Sequence, residues 1–405
     1  MQIEERSIMI GKNERQRDII KVIEKLDITP SMYKNADEKY HALAEYVSKH
    51  TDLKLNMYPQ GSFAFGTVIR PFKNDAEGAY DLDFICEVDF EKSETTPEEL
   101  RNFIENAVSE GELYGGKLEV SDECLTIKYA EEGGAQFSID IVPATRESAS
   151  TIAKLKEKTI RPDLIDSAIA IPMKEKDNYL WKTNNPKGLM EWFSEINEPY
   201  KMYSRTEFRK SLFESTKFYD KIEDIPEGME RSSVQRVIQL LKRHRDLYYN
   251  SFPDLKPISA IINVFVTSVA RCYDPSTDVF TLLEYVLEEL NESSKYYSDR
   301  TKGEILLENR VIARKNKEWY IANPANPEDN LADAWNESED IPHKFFKWIS
   351  VAKEDFVDSM EISDNEFKAI VESALGRDAV GGVWGEKYDS HKSIPIIASS
   401  KPWRK

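Results

Sequence analysis

The chain has 405 residues, 40% hydrophobic and 32% charged, with a net charge of −18. That length is too great for one compact core and suits two lobes, and the acidic balance argues against a protein that coats nucleic acid, because phosphate binding wants a basic face. No apolar run reaches the roughly 18 residues of a membrane span, and the charged start MQIEERSIMIGKNERQ lacks the apolar core of a signal peptide, so the reading is an intracellular, cytoplasmic protein.

In chain order, Glu14 to Leu26 has helical spacing. Thr29-Pro30 pairs an N-cap with proline at the first helical position and predicts a second helix to about His50. Leu53 to Tyr58 and Tyr80 to Val88 read as strands, and Thr96-Pro97 opens a helix through about Val108. Leu118 to Tyr129 and Ala135 to Val142 read as two further strands joined by the turn EEGG. Strands mixed with helices predict an α/β lobe. After about Asn185 the pattern turns helical: Pro186 to Ile196, Ser204 to Tyr219, Ser232 to Tyr249, Pro257 to Arg271 and Phe280 to Leu290. A strand pair is expected near Glu304 to Ile321, then helices to Leu375, with Gly376 as a stop. The end, SSKPWRK, reads as an irregular tail.

Charge is uneven along the chain. Arg231 to Arg245 holds five basic residues and no acidic one, and Glu354 to Glu366 holds six acidic residues and no basic one. A basic island in an acidic chain suits a small anionic ligand better than a long polyanion; the acidic run reads as a solvated face.

The chemistry concentrates in GSFAFGTVIRPFKNDAEGAYDLDF, Gly61 to Phe84. Side chains on a strand alternate faces, so Asp81 and Asp83 point one way while Leu82 and Phe84 point into a core. Asp140 stands between Ile139 and Ile141 in another apolar strand. If the two strands are neighbours, three carboxylates converge. Two like charges about 4 Å apart repel by roughly 4 kcal/mol at an effective dielectric near 20, which a fold resolves by protonation or by a divalent cation. The three cysteines, Cys86, Cys124 and Cys272, and the five histidines are scattered, so hard oxygen ligands favour Mg²⁺ or Mn²⁺ over zinc. The plainer alternative is an edge strand whose aspartates face water. Gly61-Ser62 after a Pro59-Gln60 turn lets a phosphate approach the backbone and meet a serine hydroxyl at a helix start; a lone Gly-Ser is otherwise an ordinary capped turn.

Strand, Gly-Ser, D-x-D and a third Asp on a later strand together resemble the polymerase-β-type nucleotidyltransferase superfamily. YPQGSFAFGTVIRP, YDLDFICEV, FSIDIVPA, NNPKGLMEWF, SVQRVIQLLKRHRD and NPANPEDNLADAW narrow the resemblance, over about Met57 to Trp335, to bacterial cGAS/DncV-like nucleotidyltransferases (CD-NTases). The resemblance implies an α+β fold of two lobes with the active site in the cleft between them: a catalytic lobe with N-terminal helices over residues 1–195, a helical lobe over 196–385 and a tail over 386–405. It implies catalytic and metal-binding roles for Asp81, Asp83 and Asp140, and donor-triphosphate contacts from Gly61, Ser62, Lys242 and Ser259. Without it, Lys242, at the edge of the apolar stripe Val234, Val237, Ile238 and Leu241, would read as a surface lysine. Trp181, Trp192 and Trp335 read as core. The eighteen residues between Ser62 and Asp81 exceed the compact motif; the excess, KNDAEGA, reads as a loop insertion at the active-site rim.

The implied function is synthesis of a cyclic di- or oligonucleotide second messenger from nucleoside triphosphates, ATP among them, with release of pyrophosphate, in bacterial anti-phage (CBASS) signalling. The product would act on a separate effector protein, with no membrane partner and no need of double-stranded DNA. The alternatives are a template-independent transferase acting on RNA or a small-molecule acceptor, a silent nucleotide-binding module, and a nucleic-acid-gated sensor.

Overall fold

The computed structural model describes residues 10–51, 55–73, 75–109, 113–122, 124–132, 135–215, 230–298, 311–315 and 317–389. Helix α1 (Lys12–Lys25) is followed by α2 (Pro30–Thr51), β1 (Leu55–Pro59) and the single turn α3 (Gly61–Ala64). A hairpin, β2 (Phe72–Lys73) and β3 (Ala76–Glu77), precedes the long β4 (Tyr80–Glu91) and α4 (Pro97–Ser109). Next come β5 (Leu118–Val120), β6 (Leu125–Glu132), β7 (Ala135–Arg146), α5 (Ala149–Glu157), β8 (Ile169–Glu175) and β9 (Asn178–Asn184). The mixed α+β architecture agrees with the reading of the sequence.

Seven strands form one sheet in the order β1-β4-β7-β6-β5, with β8 paired to the end of β7 and β9 to β8. Alternation along β4 and β7 divides the sheet's faces. Leu82, Phe84, Ile139 and Ile141 are wholly buried against Leu43 and Val47 of α2 and Leu100 and Ile104 of α4. Helix α4 presents Leu100, Ile104, Ala107 and Val108 at helical spacing, and Thr96 and Glu99 exchange hydrogen bonds at its start, a reciprocal cap. The opposite face of β4 and β7, with the aspartates, is left for the site.

The second half holds α6 (Pro186–Ser215), α7 (Ser233–Tyr248), α8 (Ser259–Ala270), α9 (Val279–Ser298), a small sheet of β10 (Ile312–Lys315), β11 (Glu318–Asn323) and β12 (Asn326–Asn330), then α10 (Asp333–Glu337), α11 (Asp340–Phe356), α12 (Asp364–Leu375) and α13 (Arg377–Trp384). Trp192 and Trp335 are buried in its core, and Trp181 packs half-buried on the other one. The apolar side of α1, Ile19, Val22 and Ile23, also belongs to this helical core. Asp18 accepts from Lys387 at 2.6 Å and from Tyr388 at 2.8 Å, tying α1 to the segment after α13.

Several expectations are corrected. The two helices expected on either side of about residue 200 are one, α6, which runs through Pro199; residues 216–219 of the second lie outside the described residues. Proline lacks a helical donor and crowds the preceding turn, but Trp192, Phe193 and Tyr200 are buried on this helix and the Tyr200 hydroxyl donates to Ala270 O at 2.7 Å, so packing overrides the local cost. The single strand expected over Leu118 to Tyr129 is two, turned by a Ser121 N to Cys124 O bond of 3.1 Å. Elements α5, β8 and β9 were not expected; Pro172 within β8 weakens its strand signal. Gly376 ends α12 with φ of 101°, yet α13 follows it. Of the expected strand pair, residues 304–310 lie outside the described residues, as do 390–405 of the expected tail; 386–389 form a turn anchored on α1.

The insertion KNDAEGA is not a loose rim. Its β2–β3 hairpin docks on α7, where Glu77 grips Arg243 at 2.6 and 2.9 Å. Nor is the acidic run simply solvated: Asp355 meets His244 at 3.0 Å, Asp358 meets Lys353 at 2.9 Å, and Asp364 meets the buried Arg15.

Candidate active site

Strands β4 and β7 run parallel and adjacent, and their register places Asp83 beside Asp140 and Asp81 beside Ser138. The three carboxylates expected to converge therefore share one face of two neighbouring strands. They line a single cavity of about 400 Å³. Asp81 is exposed and accepts a 2.8 Å hydrogen bond from Ser138 Oγ. Asp83 lies deeper. Burial, then the charges of Asp140 and Asp81, push its carboxyl up to about 7 against the pull of Lys242. Asp140 is raised as well, first by burial.

Among the described residues no three carboxylate, histidine or thiol groups already form a closed metal shell. The donor set nevertheless fits a hard divalent ion. Asp140 Oδ1 is buried with no hydrogen-bond partner, although Thr126 of β6 and Cys124 just before that strand stand beside that carboxylate. An unpartnered buried carboxylate oxygen is costly unless a cation or a proton meets it.

The Gly-Ser turn is built against the same group. Gln60 N donates to Asp83 O at 2.8 Å, carrying the β1–β4 ladder one residue further. Gly61 then adopts φ of +59°, and a Cβ there would lie 2.5 Å from Asp83 Oδ2. The glycine thus makes room for the aspartate as well as for a ligand, which adds a second reason for it to those read from the sequence. Gly61→Ala is expected to destabilise the protein by about 1–2 kcal/mol through the left-handed backbone alone and to push Asp83 out of place; a lower melting temperature accompanied by lost activity checks this. Ser62 faces the cavity, and among the described residues its hydroxyl makes no hydrogen bond within the protein.

The far wall comes from α7 and α8. The α7 sequence begins with a reciprocal cap between Ser232 and Gln235, and Val234, Val237, Ile238 and Leu241 anchor it in the helical core. Its basic residues are not a surface strip. Arg236 pairs with Asp27 at 2.7 Å, Arg243 with Glu77, and Arg245 with Asp246 at 2.8 Å. Gln239 reaches Val68 O at 2.9 Å, fastening α7 to the segment that follows α3. Of this stretch, Lys242 and Arg245 line the cavity. Lys242 is 8% exposed. Its one hydrogen bond among the described residues is a long 3.3 Å contact to Thr67 O. Burial, then the neighbouring Arg245, pulls its ammonium down to about 8.

Ser259 opens α8 on the cavity and accepts a 3.0 Å hydrogen bond from Arg245 Nη1. One turn on, Asn263 also lines the cavity, buried, its Oδ1 without a partner. All seven residues singled out from the sequence, Gly61, Ser62, Asp81, Asp83, Asp140, Lys242 and Ser259, border this one cavity. Arg245, Asp246, Asn184 and Asn263 border it too and were not assigned to it. The i, i+4 spacing of Ser259 and Asn263 in SAIIN was the available signal for the last.

Residues 56–143, which hold this turn and all three aspartates, match the family described as cyclic GMP-AMP synthase DncV-like, nucleotidyltransferase domain. Residues 56–143 thus carry a DncV-like nucleotidyltransferase domain. This nucleotidyltransferase is similar along most of its length to a c-di-GMP synthase of Roseivirga ehrenbergii, 23% identical over 365 residues that cover 89% of this chain and 84% of the relative. Its fold matches the Bradyrhizobium diazoefficiens CD-NTase CdnG, solved in complex with GTP, with a TM-score of 0.68 and 17% identity over 91% of this chain and 97% of the other. It also matches E. coli CdnC, solved with ATP, with a TM-score of 0.54 and 14% identity over 91% and 98%.

Proposed function

We propose that this nucleotidyltransferase joins nucleoside triphosphates into a cyclic dinucleotide or oligonucleotide and releases pyrophosphate. The observation that carries the reading is the meeting, in one cavity, of three aspartates from two parallel strands with a buried and nearly unpartnered lysine from the helical half. Carboxylates of this kind bind cations, and such a lysine binds an anion. A metal–triphosphate needs both. The volume of about 400 Å³ falls within the range of small-ligand sites. The c-di-GMP synthase relative and the GTP- and ATP-bound structures of similar fold support the substrate class.

Lys242, Ser62 and Ser259 hold the donor triphosphate in this reading, with the first turn of α8 adding its dipole. Asp81, Asp83 and Asp140 would hold Mg²⁺, which when bound polarises the phosphoryl group and offsets developing charge. The acceptor hydroxyl lies in line with the α-phosphorus. Its oxygen bonds to phosphorus, the bond to pyrophosphate breaks, and Asp140 Oδ1, the unpartnered oxygen, takes the proton. A second transfer of the same kind closes the ring and releases a second pyrophosphate. The cyclic product serves as a second messenger to a separate effector protein in anti-phage defence. Among the described residues no helix is long and apolar enough to cross a membrane.

The test is incubation with all four triphosphates and Mg²⁺, without an added acceptor, followed by phosphatase and mass spectrometry. A phosphatase-resistant cyclic product is expected, with a rate unchanged by long duplex DNA, since α7 keeps its basic residues buried or half-buried and four of them in protein contacts. A product that appears only when RNA or another acceptor is supplied would replace this reading with that of an acceptor-dependent transferase.

A further inference from the structure

We propose that Arg245 is a positioning residue that orients the Ser259 hydroxyl toward the donor phosphates; this rests on the triphosphate reading above. Arg245 lies in the last turn of α7 and is 6% exposed. Its Nε and Nη2 donate to Asp246 Oδ1 at 3.1 and 2.8 Å, and its Nη1 donates to Pro257 O at 3.2 Å and to Ser259 Oγ at 3.0 Å. A guanidinium has five N–H donors and no acceptor. Four of the five are therefore committed within the protein, which rules out a bidentate grip on a phosphate by Arg245 itself.

The same count fixes the serine. Because Arg245 can only donate, Ser259 Oγ accepts in that contact, and its single hydrogen must point elsewhere. Among the described residues no acceptor takes it, and Ser259 borders the cavity at the start of α8. An unrestrained hydroxyl rotates and offers a lone pair as readily as a proton. Phosphate oxygens only accept, so a hydroxyl held with its proton toward the cavity is already in the useful state. Asp246 completes the arrangement. It holds two of the guanidinium nitrogens and has Lys256 at 3.7 Å, which keeps the fork from swinging toward the ligand.

The experiment is a double-mutant cycle on the full chain. Affinity for non-hydrolysable ATP and GTP analogues with Mg²⁺ is measured by calorimetry for wild type, Arg245→Gln, Ser259→Ala and the double variant, with melting temperatures alongside. Each single change is expected to weaken binding about fivefold, the size of one hydrogen bond, and the double variant to bind no worse than either. Additive losses, about 25-fold in the double variant, would overturn the proposal, since Arg245 would then act independently of the serine. Should Arg245→Gln fail to fold, Asp246→Asn supplies the second route: it is expected to weaken binding in the wild-type background and to have no effect in Ser259→Ala, and an equal effect in both would overturn the proposal. A wild-type protein that binds no triphosphate would sink the underlying reading, whereas binding with additive penalties sinks only the role of Arg245.

Discussion

Asp81→Asn combined with Asp83→Asn is expected to lower nucleotide joining by at least ~10³-fold while leaving the fold intact and, in chelator, more heat-stable than wild type. The stability half follows from the titration of Asp83. In the folded protein its carboxyl titrates near 7, against 3.8 for a free side chain, chiefly because it is buried and because Asp140 and Asp81 are near. The native state then holds a proton that the unfolded chain releases between those values, so stability falls as pH rises through that window and stays low above it. Asparagine does not titrate. The gain in melting temperature should thus be absent near pH 4 and largest above pH 7. Added Mg²⁺ should raise the melting temperature of wild type at pH 8 and leave the variant unmoved. Full product formation by a folded double variant would end the carboxylate mechanism.

Lys242→Ala is expected to weaken triphosphate binding roughly 10- to 100-fold, as the loss of a charged contact, and more than Ser62→Ala does. Its pH profile identifies the group. Burial and Arg245 bring the ammonium down to about 8 in the free protein. Below that value the lysine is charged and ready for an anion. Above it, binding must first take up a proton, so wild-type affinity should fall as pH rises from 7 to 9. The alanine variant should begin weaker and stay flat over that range. An alanine variant with wild-type affinity and the same pH slope would remove this lysine from the phosphates.

Much of the site was legible because its signals are local. The period of two along YDLDF puts Asp81 and Asp83 on one face and Leu82 and Phe84 on the other whatever the rest of the chain does, and both leucine and phenylalanine are buried as expected. The same holds for Asp140 between two isoleucines and for the apolar stripe of α7. Pairing was not legible. Nothing in YDLDF or FSIDI states that β4 and β7 run parallel with Asp83 beside Asp140, because register is a property of two segments more than fifty residues apart. The basic island was legible only in part, for a similar reason. It read as suited to a small anionic ligand, and Lys242 and Arg245 do line the cavity, but Arg236 and Arg243 meet Asp27 and Glu77, partners more than 160 residues away in sequence.

The place of Lys242 in the site came from the family resemblance; from the spacing of the sequence itself follow oxygen donors on buried strands, a glycine-serine turn before them and a later amphipathic helix. Each depends on residue type and on periods of two or about 3.6, which short-range sterics impose. Only the tertiary structure decided which of these groups meet. It set Asp83 Oδ2 against the bare Cα of Gly61, left Asp140 Oδ1 without a partner, carried α6 through Pro199, and gave Ser259 to Arg245. Those outcomes depend on packing between segments distant in sequence, where burial and long-range pairing outweigh the local preferences that a sequence displays.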